Sequence, residues 1–300
     1  MRSKILFTLL FIPITASPSP QRFVREQLMM ENIPVIIKIT TDAKQKPKAF
    51  EAMEAAFNEA RRLERELSEF QKESVVSEIN RQAGKKWVKA NDDLVHLLLT
   101  SGKVSALTRG AFDITFASKN KNASYRDVFV DTEGPKVFLK KPEMTIGVSG
   151  IAKGFIIDKM IETIRKNGFD NTLVNAGGDL KAAGEDSNGP WKIGIQDPTA
   201  PRGTKVCNLR LSNQAVATSG TYERGPHIID PQTKQATWYW QSVTVFAEEA
   251  VFADGLATGG FVLGASAPSI FREIEGISAI FISPEGKVIT IGNVTAACFE

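Results

Sequence analysis

The chain of 300 residues is poor in the side chains that most metal, redox and disulfide proteins depend on: it carries only two cysteines and two histidines. Two cysteines, Cys207 and Cys298, exclude a disulfide-stapled scaffold and any thiolate metal cluster, leaving at most one bridge whose formation the sequence does not decide. His96 and His227 are too few for a multi-histidine zinc or iron centre. Charge of one sign is also lacking. Lys and Arg number 37 against 34 Asp and Glu, a net +3, and the cations are scattered without a stripe or interleaved aromatics, so nucleic acid is not an expected partner. The hydrophobic run near the N-terminus is short. The apolar stretch Ile5 to Ile12 is too short to span a bilayer; behind Arg2 and Lys4, and before Ala16 and Ser17, it reads as a secretory signal over residues 1–17. The mature part, 18–300, is expected as one domain exported to the periplasm.

What is present is a mixture of helical and strand periods without a strict alternation, which predicts an α+β fold of two intimately packed lobes. Helices are expected over about 47–66, 92–107, 152–166, 253–263 and 268–274, with His96 a partly buried helix residue. Strands are expected at 35–39, 127–130, 136–139, 172–175, 192–196, 206–211, 215–219, 243–246, 279–282 and 288–291. Gly110 and Gly168 are placed to close helices in the left-handed conformation. The serine-rich segment from Leu67 to Asn80 reads as loops and caps.

Four segments concentrate chemistry. Asp254 and Thr258, four residues apart, would share one face of a helix, and oxygen ligands so placed suit a hard cation such as Mg²⁺. An Asp near a helix start equally suits an N-cap. The run from Gly147 to Gly154 is a glycine-rich turn opening a helix with Lys153 at its mouth, which favours phosphate; it is neither a Walker A loop nor a dinucleotide fingerprint, and a plain loop-to-helix junction has the same pattern. Asn175 to Leu180 reads as a hairpin turn or as a place of close backbone approach to a cofactor. The stretch from Thr218 to Thr233 is dense in reactive groups, and His227 within it is either a proton acceptor near neutral pH or a structural imidazole.

Taken in order, Leu67 to Phe70 with Ser74 to Asn80, Thr108 to Thr115, Gly150 to Gly154, Asn175 to Leu180, Thr218 to Arg224, His227 to Pro231 and Ala253 to Thr258 resemble the ApbE family, the FAD:protein FMN transferases. The resemblance implies FAD as substrate, with its pyrophosphate at a Mg²⁺ ion held by Asp254, Thr258 and the carbonyl of Gly150. It implies flavin contacts at Met30, Phe70, Ala111, Phe112, Asp113, Lys153 and Ile228, and a general base at His227. The acceptor would be a threonine of a partner protein, a membrane redox subunit, which takes FMN while AMP leaves. FAD hydrolysis to FMN and AMP, and flavin binding without turnover, are the alternatives. Three positions depart from the family pattern: Met30-Glu31-Asn32 replaces Met-Gly-Thr, Gly147-Val148-Ser149-Gly150 replaces Asp-Leu-Gly-Gly, and Phe70 replaces a common Tyr.

Overall fold

The computed structural model describes residues 19–30, 32–201, 203–221 and 228–294. The expected signal, Glu31, His227 and Cys298 lie outside these residues. The architecture is α+β. In chain order it runs β1 (Gln21–Met29), β2 (Ile33–Thr41), α1 (Lys46–Leu67), α2 (Val75–Arg81), β3 (Val88–Lys89) and α3 (Asp92–Leu107). Next come β4 (Val128–Asp131), β5 (Lys136–Leu139), α4 (Ser149–Lys166), β6 (Thr172–Ala176), β7 (Asp179–Ala183), β8 (Trp191–Gln196) and β9 (Lys205–Leu211). The chain continues through β10 (Gln214–Gly220), β11 (Ser242–Ala247), α5 (Ala250–Leu263), α6 (Ala267–Phe271), β12 (Ser278–Ile282) and β13 (Val288–Ile291).

Eight strands form one antiparallel sheet in the order β1-β2-β6-β7-β10-β11-β12-β13, while β3-β5-β4 and β8-β9 make two small sheets. Period-two alternation builds the layers. Val174, Val243 and Val245 face the main core beneath the helices, whereas Leu173, Leu180, Val216 and Phe246 face a second cluster closed by Trp191, Cys207 and Leu209 of the β8-β9 ribbon. Cys207 is disulfide-bonded. Helix α1 buries Ala49, Met53, Ala56, Phe57, Ala60 and Leu63, a stripe at helical spacing that meets the sheet and α4. The helical run Ala250–Phe271 is long and apolar enough to cross a membrane, but 61% of its apolar window is buried inside the fold. Its apolarity is that of a core helix.

Several expectations change. The serine-rich segment contains α2, because Ser74 accepts the amide of Ser77 at 3.0 Å as an N-cap and Val76 and Ile79 supply a buried face. Strand β1 escapes a reading by hydropathy because it is an edge strand with most side chains wet. His96 is exposed rather than partly buried, its ring edge-on to Phe155 with centroids 5.7 Å apart. Gly110 and Gly168 do adopt positive φ, +83° and +89°.

Three helices are joined by one polar knot. Asp93 at the start of α3 accepts from Arg62 of α1 at 2.5 Å and from Lys159 of α4 at 2.8 Å. Burial would raise the Asp93 carboxyl, but Lys159 and Arg62 more than offset this and hold it below the ordinary carboxylate range. A group depressed in the folded chain stabilises above its unfolded pKa and loses that contribution as pH falls through its folded value. Asp93→Asn is therefore expected to cost about 1 kcal/mol at pH 7, discounted for partial solvation. In melts taken from pH 7 downward, the gap between variant and parent closes below about pH 4.

Candidate active site

Helices α4 and α5 cross so tightly that a Cβ on Gly154 would lie 2.2 Å from the carbonyl oxygen of Ala250 and 2.8 Å from Cβ of Asp254. That approach sets the geometry of everything around it. The Gly154 amide donates to Asp254 Oδ2 at 2.9 Å. One turn along α5, Thr258 Oγ1 donates to the carbonyl of Gly150 at 3.4 Å and lies 3.2 Å from Ser219 Oγ. Asp254 and Thr258 thus share one face of α5, as their spacing predicts, and that face meets the start of α4, where the resemblance puts the Gly150 carbonyl.

The N-cap reading of Asp254 does not hold. Helix α5 begins at Ala250, placing Asp254 in its second turn. The start of α5 is instead held from outside: Asp158 of α4 accepts from the amides of Ala250 and Val251 at 3.1 and 2.8 Å. Lys181 of β7 donates to the same carboxylate at 2.6 Å. This is capping supplied by a neighbouring helix.

Strand ends complete the site. Asp179 at the head of β7 follows the turn Gly177-Gly178, whose φ values of +61° and +106° demand glycine. The hairpin reading of this segment is therefore correct, and the turn also delivers a functional-type side chain. Asp179 Oδ1 accepts from the Thr218 amide at 2.9 Å, and Oδ2 lies 2.7 Å from Lys153 Nζ. Thr218 and Thr244 share a hydrogen bond between their hydroxyls at 2.9 Å. Asp179, Thr218, Ser219 and Thr244 were not singled out from sequence as site residues; a carboxylate directly after a two-glycine turn at a strand head was the available clue.

Two carboxylates dominate the electrostatics of the described residues here. Burial first, and the Asp179 carboxylate second, push Asp254 up to about 7, against the opposing pull of Lys153 and the Gly154 amide. Lys153 pairs with Asp179 and also draws on Asp254. The donor set of carboxylate, hydroxyl and main-chain carbonyl consists of oxygen alone and suits a hard divalent cation. Among the described residues no cluster of three or more His, Cys, Asp or Glu is placed to hold a metal ion.

The remaining candidates are spread around this centre. Phe112 is buried, its ring 3.4 Å from where a Cβ on Gly150 would lie, so the 108–112 turn packs on the helix crossing. Ala111 is half-buried beside it. Asp113 turns its carboxylate inward, accepting from the Thr115 amide and hydroxyl, both at 2.7 Å, and from the Tyr125 amide at 2.9 Å. Ile228 joins the main core, and Met30 takes φ +48° in the turn between β1 and β2, at the same end of the sheet as Asp179. Phe70 is 75% exposed. Lys234 donates to the carbonyl of Phe116 at 2.8 Å, tying the chain after Ile228 to the 111–118 loop. At Gly147, where a carboxylate is missing relative to the family pattern, Glu69 Oε1 comes within 3.2 Å of the vacant Cβ position. His227 lies outside the described residues.

Comparison with known proteins places the chain as a whole. The ApbE family model matches residues 33–281. An FAD:protein FMN transferase of Klebsiella pneumoniae is 28% identical over 261 residues, which cover 75% of this chain and 74% of that protein. One from Haemophilus influenzae is 28% identical over 236 residues, covering 66% and 68%. The crystal structure of the ApbE protein from Thermotoga maritima matches with a TM-score of 0.81 at 26% identity, covering 93% of this chain and all of that one, 100%.

Proposed function

The chain belongs to the ApbE family, and from that premise we propose that it is an FAD:protein FMN transferase, moving FMN from FAD to a protein with release of AMP. The observation that carries the proposal is the meeting of Asp254, Thr258 and the Gly150 carbonyl beside the buried Asp179 and Lys153, in a family whose relatives bear that activity. Asp254, Thr258 and Gly150 would hold Mg²⁺, which when bound supplies charge neutralisation at the FAD pyrophosphate. Every other task falls to the chain itself. Lys153 at the N-terminal part of α4 offers a cation to the phosphates, while Asp179 holds it in place. Ala111, Phe112, Asp113, Ile228, Met30 and Phe70 would border the flavin. His227 would take the proton from a threonine hydroxyl of the acceptor as that oxygen bonds to the FMN phosphorus, and the bond to AMP breaks with AMP carrying the electron pair away.

The site of action is part of the same proposal: an exported enzyme in the periplasm, acting on a redox subunit of the membrane. Purified chain given FAD, Mg²⁺ and a threonine-bearing acceptor is expected to yield AMP and a fluorescent flavinylated acceptor in equal amounts. His227→Ala is expected to lower that rate by about 10²- to 10⁴-fold with FAD binding retained. AMP and free FMN at the same rate without acceptor would identify an FAD pyrophosphatase. Tight FAD binding with no AMP in either case would identify a flavin-binding protein without turnover.

A further inference from the structure

The small sheet β3-β5-β4 is covered on one face only. Val88, Val128, Val130, Val137 and Leu139 turn inward to the main core beneath α2 and α3. The opposite face carries an aromatic row. Trp87, just before β3, meets Phe138 of β5 at 5.6 Å between centroids, and Phe138 stacks with Phe129 of β4 at 6.4 Å, so three rings line up across the sheet. Trp87 is 43% exposed and Phe129 41% exposed. An antiparallel sheet with one wet face normally alternates to polar side chains there. Here the positions that should be polar are rings.

The other outward positions are mostly cationic, with one acid among them, Asp131. By the pleat, Lys89, Lys136 and Lys140 share the face with the rings; Lys136 stands 5.4 Å over the Trp87 ring and pairs with Asp131, the acid that faces it across the strands. Exposed Lys85 and Lys86 precede Trp87. The result is a row of partly exposed aromatics rimmed by lysines. It matches the interface of an anionic bilayer, where ring edges reach the headgroup boundary and lysines meet phosphates. We propose that the Trp87–Phe138–Phe129 face docks this protein on anionic lipid surfaces.

The test is co-sedimentation of the full chain with phosphatidylglycerol or phosphatidylcholine vesicles, at low and high salt. The parent chain is expected to pellet with phosphatidylglycerol, to remain in solution with phosphatidylcholine, and to be released by salt. Lys89→Glu with Lys140→Glu should weaken binding at least about 25-fold, near fivefold for each lysine lost. Trp87→Ser with Phe129→Ser should weaken it independently of salt, with FAD binding unchanged in both variants. The proposal is overturned if the parent ignores phosphatidylglycerol, or if the charge variant pellets undiminished. It is equally overturned if the aromatic variant only lowers the melting temperature, which would make the row a brace for the sheet. A concentration-dependent dimer that the aromatic variant abolishes, without vesicle binding, would assign the face to a second copy instead.

Discussion

Asp254→Asn removes cation-dependent AMP release, lowering it by about a thousandfold, while the chain without metal melts no lower than the parent. The activity loss follows from the loss of the one carboxylate in the proposed ligand set, worth several kcal/mol of charge stabilisation. The stability result follows from the apo site. Asp254 is buried and raised to about 7 by burial and by Asp179, so in the folded chain its charge is a burden rather than a support. Asparagine deletes the charge, keeps an oxygen to accept the Gly154 amide, and leaves Lys153 to Asp179. A purely structural aspartate would behave the other way. Thermal melts with and without Mg²⁺ separate the two roles: saturation to about 100 times Kd adds about 2.7 kcal/mol to the parent and nothing to the variant. Retention of that shift in Asp254→Asn would remove Asp254 from the ligand set.

Gly154→Ala is expected to be among the most damaging single methyl additions in the fold. The new Cβ would sit 2.2 Å from the Ala250 carbonyl oxygen and 2.6 Å from its carbon, and both are backbone atoms that cannot rotate aside. Helix α5 cannot simply retreat, because the amides of Ala250 and Val251 are fixed to Asp158. An overpacking cost of about 3 kcal/mol or more follows. For a chain of this size it lowers the melting temperature by roughly 6–12 °C. Gly102→Ala is the matching control. No atom lies within 4 Å of a Cβ there, within α3, so the same change should stabilise by about 0.5–1 kcal/mol. Equal melting shifts in the two variants would show that the helix crossing tolerates the methyl.

Part of this site could be read in the chain before any coordinates. Asp254 and Thr258 were legible because helical spacing alone puts them on one face, and the glycines from 147 to 154 marked a crowded helix start. Asp179 was not, because its place depends on which strand pairs with which: β7 meets β10 in a register that brings Thr218 to its carboxylate. The cap of α5 was hidden for the same reason, since Asp158 is remote in sequence from the amides it holds. At Ser74 the sequence carried the right local sign, a serine three residues before its amide partner, but serine density outweighed it. His96 shows the converse error. A helix pattern gives the buried side of the cylinder only when its neighbours are known, and α4 leaves that position wet.

The bond from Asp158 to the first amides of α5 spans 92 and 93 positions of sequence. Helix α5 contains three glycines and lacks a side-chain cap of its own, so as an isolated segment it nucleates poorly. It must wait for α4 and the strands between to assemble around it. Contacts so distant along the chain are closed late and slowly. The proposed cation site is therefore one of the last features to form on the folding path, and if it holds Mg²⁺ as proposed, the ion should slow unfolding far more than it hastens folding.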